Sequence, residues 1–210
     1  MINILIVDDH HIVRNGLKQI VADLPDMKVV AECSYGYEVF SRLKDTECNL
    51  VLLDISIPGR SGLEILAQLH AERPDLPILI LSMYPEDRYA VRALRAGAAG
   101  YVTKMSASDE LVTAIRKVYW GGKYVSESLS QILAADLGKQ GDTPTHEKLS
   151  DRELQVLCML GSGKTCKEIA GELILSIKTI STYRKRILEK TGLKNNADIV
   201  NYVLVQGLLD

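Results

Sequence analysis

The chain has 210 residues, 47% of them apolar and 25% charged, a balance that excludes disordered and collagen-like chains. Charge is uneven: residues 1–147 hold 15 Lys and Arg against 20 Asp and Glu, a net −5, and residues 148–210 hold 10 against 7, a net +3. That asymmetry points to two domains with different partners, the second suited to a polyanion.

The first apolar run, residues 2–7, is nearly all aliphatic, as a central parallel strand is. It is too short for a secretory signal, lacks a basic lead and ends in Asp8 and Asp9. No run approaches the roughly 18 apolar residues of a membrane span. From His10 to Leu24, apolar residues keep helical spacing until Pro25. Val29–Glu32 reads as a strand, Tyr37–Asp45 as a helix, and Leu50–Asp54 as a strand buried on both faces. Pro58, Gly59 and Gly62 then open a loop, and Gly62–Arg73 is a helix closed by Pro74. Pro77–Ser82, Pro85–Ala96, Gly100–Val102 and Ser108–Tyr119 complete the alternation as strand, helix, strand and helix. Five βα units imply an α/β, doubly wound, five-stranded parallel sheet with helices on both faces; the strand order is not legible from the pattern.

Ligands of such sheets bind beyond the carboxyl ends of the strands. There the sequence places Asp8 and Asp9, Asp54, Ser82 and Lys104, each the first polar group after an aliphatic run. Three close carboxylates are best neutralised by a hard divalent cation with oxygen ligands, Mg2+ above all. A carboxylate also attacks phosphorus to give an acyl phosphate, with Lys104 and the Ser82 hydroxyl as partners for the phosphoryl oxygens. A plain helix-cap reading of any one carboxylate stays open, but four such strand ends weigh against capping alone. His10 and His11 are expected to be solvated or to cap the first helix, because adjacent residues there point in different directions. Four cysteines, Cys33, Cys48, Cys158 and Cys166, form no Cys-x-x-Cys pair and read as reduced thiols in a cytoplasmic protein.

The set Asp8-Asp9, Asp54 with Pro58-Gly59 and Gly62, Ser82, Tyr101 and Lys104 resembles the receiver domain of two-component response regulators over roughly residues 1–120. The resemblance implies a flavodoxin-like strand order 2-1-3-4-5 and an Asp54 that takes its phosphoryl group from a sensor histidine kinase. It implies further that Asp8, Asp9 and Asp54 hold Mg2+, and that Ser82 and Tyr101 form a switch pair in which the ring follows the hydroxyl inward. Ile57 stands where this family often has Met, and Met105 where many members have a cis proline.

Val125–Leu137 is compatible with one more amphipathic helix, and Gly138–Thr145 reads as a flexible linker. Beyond it all signals are helical. Ser150-Asp-Arg-Glu153 and Thr165-Cys-Lys-Glu168 are capping boxes opening helices to Leu160 and Leu173. Ser176 caps a third helix to about Thr191, stopped by Gly192, and Ala197–Gln206 is a fourth. Gly161-Ser-Gly-Lys-Thr165 mimics a phosphate loop but lacks its first glycine and follows a helix, so it is assigned to a turn. On the third helix Ile177, Ile180 and Ile187 are expected inward, with Lys178, Ser181, Thr182 and Lys185 on an outward stripe suited to a major groove. Arg184, Arg186 and Lys190 lie to its sides and suit phosphates, and Thr179 is counted with the DNA-binding residues. This region resembles the LuxR-type, all-α four-helix helix-turn-helix output domain of NarL/FixJ regulators, with Tyr183 where that family usually has His.

The resulting expectation is a receiver at 1–121, a linker with a possible helix at 122–147 and a DNA-binding domain at 148–210. The chain is expected to be a regulator and not an enzyme, to bind double-stranded DNA as a homodimer when phosphorylated, and to have no membrane partner. Two other classes compete: an aspartyl-phosphate hydrolase, disfavoured by Ser56 where an acid or base would stand, and a constitutive DNA-binding protein that uses the front domain only to dimerise.

Overall fold

Strand β1 (Ile2–Val7), β2 (Met27–Cys33), β3 (Leu50–Leu53), β4 (Ile78–Ser82) and β5 (Gly100–Thr103) form one parallel sheet in the order β2-β1-β3-β4-β5. These strands belong to a computed structural model that describes residues 1–106, 108–138 and 144–208, in two units, Met1–Gly138 and Lys139–Asp210. β1, β3 and β4 are buried almost throughout, because helices cover both faces and leave no polar side. Helix α1 (His11–Ala22) and α5 (Ser108–Tyr119) lay Leu17, Val21, Leu111, Ala114, Ile115 and Val118 on Ile4, Ile6, Leu50, Leu52 and Leu79. Strand residues of opposite parity, Leu5, Val7, Val51, Leu53 and Ile80, are buried too, which leaves the second face to α2 (Val39–Asp45), α3 (Gly62–Glu72) and α4 (Glu86–Arg95).

Two elements differ from the sequence-based expectation. β2 runs from Met27 to Cys33, longer than Val29–Glu32, because its whole length pairs with β1 across a register shift at Ile4 and Leu5. The second helix starts as a 3-10 turn, Gly36–Glu38, where the Glu38 carboxylate accepts from the Ser34 and Tyr35 amides. Gly36 packs closely, since a Cβ there would lie 2.5 Å from Ile65 Cδ1 and that side chain would have to shift.

Past β5 the chain stays on the front unit. Tyr124 bridges Gly100, and its hydroxyl donates to Glu110 at 2.9 Å. Helix α6 (Glu127–Gly138) lies against α4: Leu129 is fully buried, Ser126 Oγ donates to Glu86, and Arg95 Nη2 donates to Asp136 Oδ2 at 2.6 Å. Most of the expected linker, residues 139–143, lies outside the described residues.

The second unit contains α7 (Asp151–Gly161), α8 (Cys166–Glu172), α9 (Ile177–Thr191) and α10 (Asn196–Val205). Both capping boxes form, and Ser176 Oγ accepts from the Thr179 amide to start α9. Gly192, at φ 76°, ends α9 in the left-handed conformation that glycine adopts without steric cost. α7 is pinned to α10 by contact so close that a Cβ on Gly161 would lie 2.8 Å from the Val203 side chain. The phosphate-loop mimic is the turn between α7 and α8.

Candidate functional site

Register builds the site before any side chain is considered. Val7 pairs with Leu53, so the next residues, Asp8 and Asp54, emerge side by side; Ser82 pairs with Thr103, so Lys104 emerges beside β4. The backbone continues the ladder one step further, Asp54 N donating to Val7 O at 2.9 Å and Lys104 N to Ser82 O at 2.7 Å. Gly62 is required at this corner, because a Cβ would sit 2.1 Å from the Asp54 carbonyl oxygen.

Lys104 Nζ donates to Asp54 Oδ2 at 2.7 Å and lies 2.7 Å from Asp8 Oδ2, with all three side chains nearly buried. Asp54 Oδ1 accepts from the Ser56 amide at 3.0 Å. Burial raises the Asp54 carboxyl above the usual range and the Asp8 charge adds to this, while Lys104 opposes both. Burial also pulls Lys104 down, but the Asp54 and Asp8 carboxylates outweigh it and hold the ammonium above its ordinary value.

Asp8, Asp9, His10 and Asp54 each offer a ligand atom, all within 4.8 Å of one another. Among the described residues the buried atoms Asp8 Oδ2 and Asp9 Oδ1 meet Lys104 and His10 as ion-pair neighbours, and the carboxylate oxygens suit a hard divalent cation.

His10 keeps the solvated side chain that the sequence reading allowed, 59% exposed. Its backbone starts α1, but its side chain caps nothing and turns to the carboxylates, Nδ1 lying 2.9 Å from Asp9 Oδ1 and 3.3 Å from Asp8 Oδ1. The extended Ncap backbone swings it back over the strand end, which helical periodicity does not anticipate. His11 is exposed, and its ring lies within hydrogen-bond distance of Asn15. Arg14 was missed as well: it is buried, donates to the Asp8 carbonyl at 2.6 Å, and pairs with Glu32. A charged residue on the apolar face of α1 was the available signal.

Ser82 and Tyr101 meet on neighbouring strands, both without solvent exposure. Tyr101 turns inward, its hydroxyl beside Ser82 and donating to the Tyr84 carbonyl at 2.8 Å, and burial pushes its phenol well above its ordinary value. Ser82 Oγ accepts from the Tyr84 amide at 3.2 Å. Among the described residues there is no cis peptide bond.

On α9, Lys178, Ser181, Thr182, Lys185 and Arg186 are exposed. Thr179 is half-buried against the Ser176 cap, and Arg184 donates to Asn196 Oδ1 at 2.6 Å. Two expectations fail here. Ile177 is 52% exposed, since as the first helical residue it sits about 60° around the axis from Ile180 and ahead of the packed turns. Lys190 faces α7, donating to the buried Glu153 carboxylate at 2.6 Å.

Against known families, residues 4–116 match the response regulator receiver domain and residues 147–203 match bacterial regulatory proteins of the luxR family. The response regulator GacA of Pseudomonas aeruginosa is 34% identical over 212 residues, covering 100% of this chain and 99% of GacA. The chain is a response regulator. It belongs with the NarL/FixJ members, to which UvrY of Escherichia coli, 34% identical over 99% of this chain and 96% of its own, also belongs. Among solved structures, RcsB of Salmonella enterica serovar Typhimurium, bound to promoter P1flhDC in the presence of phosphomimetic BeF3-, superposes with a TM-score of 0.61 at 28% identity, covering 96% of this chain and 97% of RcsB. A LuxR-family response regulator from Aurantimonas gives 0.61 at 34% identity over 65% of this chain and 98% of its own. The response regulator therefore joins a receiver fold to a helical LuxR-type domain, and no helix among its described residues is long and apolar enough to cross a membrane.

Proposed function

We propose that this response regulator is a transcription factor that binds promoter DNA through α9 under control of phosphorylation at Asp54. The observation that carries the reading is the placement of one ammonium, Lys104, 2.7 Å from both the Asp54 and Asp8 carboxylates at the end of buried strands. In the proposed step an Asp54 oxygen bonds to phosphorus as the phosphorus–nitrogen bond of a kinase phosphohistidine breaks, and its electron pair leaves with the imidazole. Asp8, Asp9 and Asp54 would hold Mg2+, and the ion would supply charge neutralisation for the phosphoryl oxygens. Lys104 is already charged and oriented, and exchanges a carboxylate partner for a phosphoryl oxygen. Ser82 follows as hydrogen-bond donor, and the Tyr101 hydroxyl is the group poised to respond.

Functionally the chain divides into a phosphoacceptor domain at 1–121, a connecting segment at 122–147 and a DNA-binding domain at 148–210. Lys178, Ser181, Thr182 and Lys185 read base edges, and Thr179, Arg184 and Arg186 position the helix on the backbone. The phosphorylated form binds as a homodimer on two half-sites, gaining affinity by effective concentration. The protein acts in the cytoplasm, partners a sensor histidine kinase and no membrane, and is a regulator and not an enzyme. The test is intact-mass analysis after acetyl phosphate and Mg2+. Wild type gains one acid-stable, base-labile phosphoryl group and Asp54→Asn gains none; equal labelling of the two refutes the assignment of Asp54.

A further inference from the structure

Lys104 and His10 approach the acidic cluster through different oxygens. Lys104 engages the Oδ2 atoms of Asp8 and Asp54, whereas His10 Nδ1 faces Oδ1 of Asp9 at 2.9 Å and Oδ1 of Asp8 at 3.3 Å. Neighbouring ligands at right angles around an ion held at about 2.1 Å are about 3 Å apart, so His10 Nδ1 stands from each of the two carboxylate oxygens at about the separation of adjacent ligands of one ion. We propose that His10 is a nitrogen ligand of this cation site, and that it makes the site prefer first-row transition ions such as Mn2+ over Mg2+.

The inference rests on reading Asp8, Asp9 and Asp54 as a cation site. Carboxylates alone do not separate the two ions strongly, since both are hard and octahedral with oxygen donors. An imidazole does, because first-row ions hold nitrogen donors more strongly, whereas Mg2+ keeps oxygen and water ligands. His10 remains 59% exposed at its side chain, so its ring presents Nδ1 to the carboxylate side while Nε2 stays toward solvent. The competing account is an ion pair between a protonated His10 and the two carboxylates. That account predicts the opposite response, because removing a cation from the cluster strengthens binding of every divalent ion.

The experiment uses the full chain with Mn2+ as the probe. Pulsed electron paramagnetic resonance of the bound ion reports a directly coordinated nitrogen, and competition titration gives the Mn2+ and Mg2+ dissociation constants. Nitrogen modulation is expected in wild type and lost in His10→Ala, with Mn2+ affinity falling roughly tenfold and Mg2+ affinity changing less than about twofold. Bound Mn2+ without nitrogen modulation, modulation that survives His10→Ala, or equal or tighter binding of both ions by the variant overturns the role of His10 while leaving the carboxylate site intact. Failure of wild type to bind either ion overturns the cation site itself and this inference with it. Because His10 is exposed and buries no apolar surface, the variant folds; His10→Asn, which keeps a polar side chain, gives a second reading of the same outcome.

Discussion

Asp54 and Gly62 show how one residue's chemistry depends on another's absence of a side chain. The Gly62 amide donates to the Ile55 carbonyl at 3.0 Å, folding the loop back so tightly that no Cβ fits against the Asp54 carbonyl. Gly62→Ala is therefore expected to destabilise the front unit by about 1–3 kcal/mol and to slow labelling of Asp54, measured by urea unfolding and by the rate of acetyl phosphate incorporation. Glu153 makes the matching case in the second unit. Burial pushes its carboxyl up, but Lys190 and the Ser150 donors more than offset that and hold it below its ordinary 4.5. A depressed folded value stabilises the native state above the unfolded value and loses that effect as pH falls through the folded one. Glu153→Gln should be less stable than wild type by about 2 kcal/mol at pH 7, with the gap closing below pH 4.5 in thermal melts. At this scale the sequence was informative where one side chain ends a strand. Asp8, Asp54, Ser82 and Lys104 were legible as a group for that reason, whereas His10 was not, since its direction follows from the φ and ψ of a helix cap and not from spacing.

Elements were legible where apolar periodicity and punctuation agreed. Leu50–Leu53 before Asp54, and Ser176 before α9, gave strand and helix starts from local chemistry alone. The long β2 was less legible, because its middle residues are only half-covered and its extent is set by pairing with β1. Ile177 misled because helical spacing assigns faces along a packed helix, whereas the first turn of α9 projects past its neighbours. Helix α6 illustrates a tertiary decision: it lies in a stretch with weak periodicity, yet Leu129 is fully buried and Ser126 and Asp136 bond to both ends of α4. Leu129→Ala should destabilise the front unit by about 2–4 kcal/mol, and hydrogen exchange of the α6 amides should accelerate with it. Acceleration without a stability change would mean that α6 opens independently of α4.

On the scale of the whole molecule, the net −5 of residues 1–147 and the net +3 of residues 148–210 accord with the proposal that the front domain handles a cation and a phosphoryl group and the back one a polyanion. Electrostatics then gives a quantitative check on α9. If Arg186 meets a phosphate, Arg186→Ala weakens DNA binding evenly across sequences and lowers the magnitude of the slope of log affinity against log salt by roughly 0.9. Lys190→Ala, by contrast, should leave that slope unchanged and reduce the stability of the second unit, because its partner is Glu153. Strand order entered through family resemblance, since hydrophobic pattern fixes which segments are strands but not which neighbours they choose.

The central claim is that phosphorylation of Asp54 tightens DNA binding by α9. The direct measurement is DNA affinity at fixed salt, on fragments from upstream of the protein's own gene neighbourhood, with and without acetyl phosphate and Mg2+, for wild type and Asp54→Asn. The account predicts that only treated wild type tightens. Equal affinity in all four states would leave a DNA-binding protein without the switch and would contradict it.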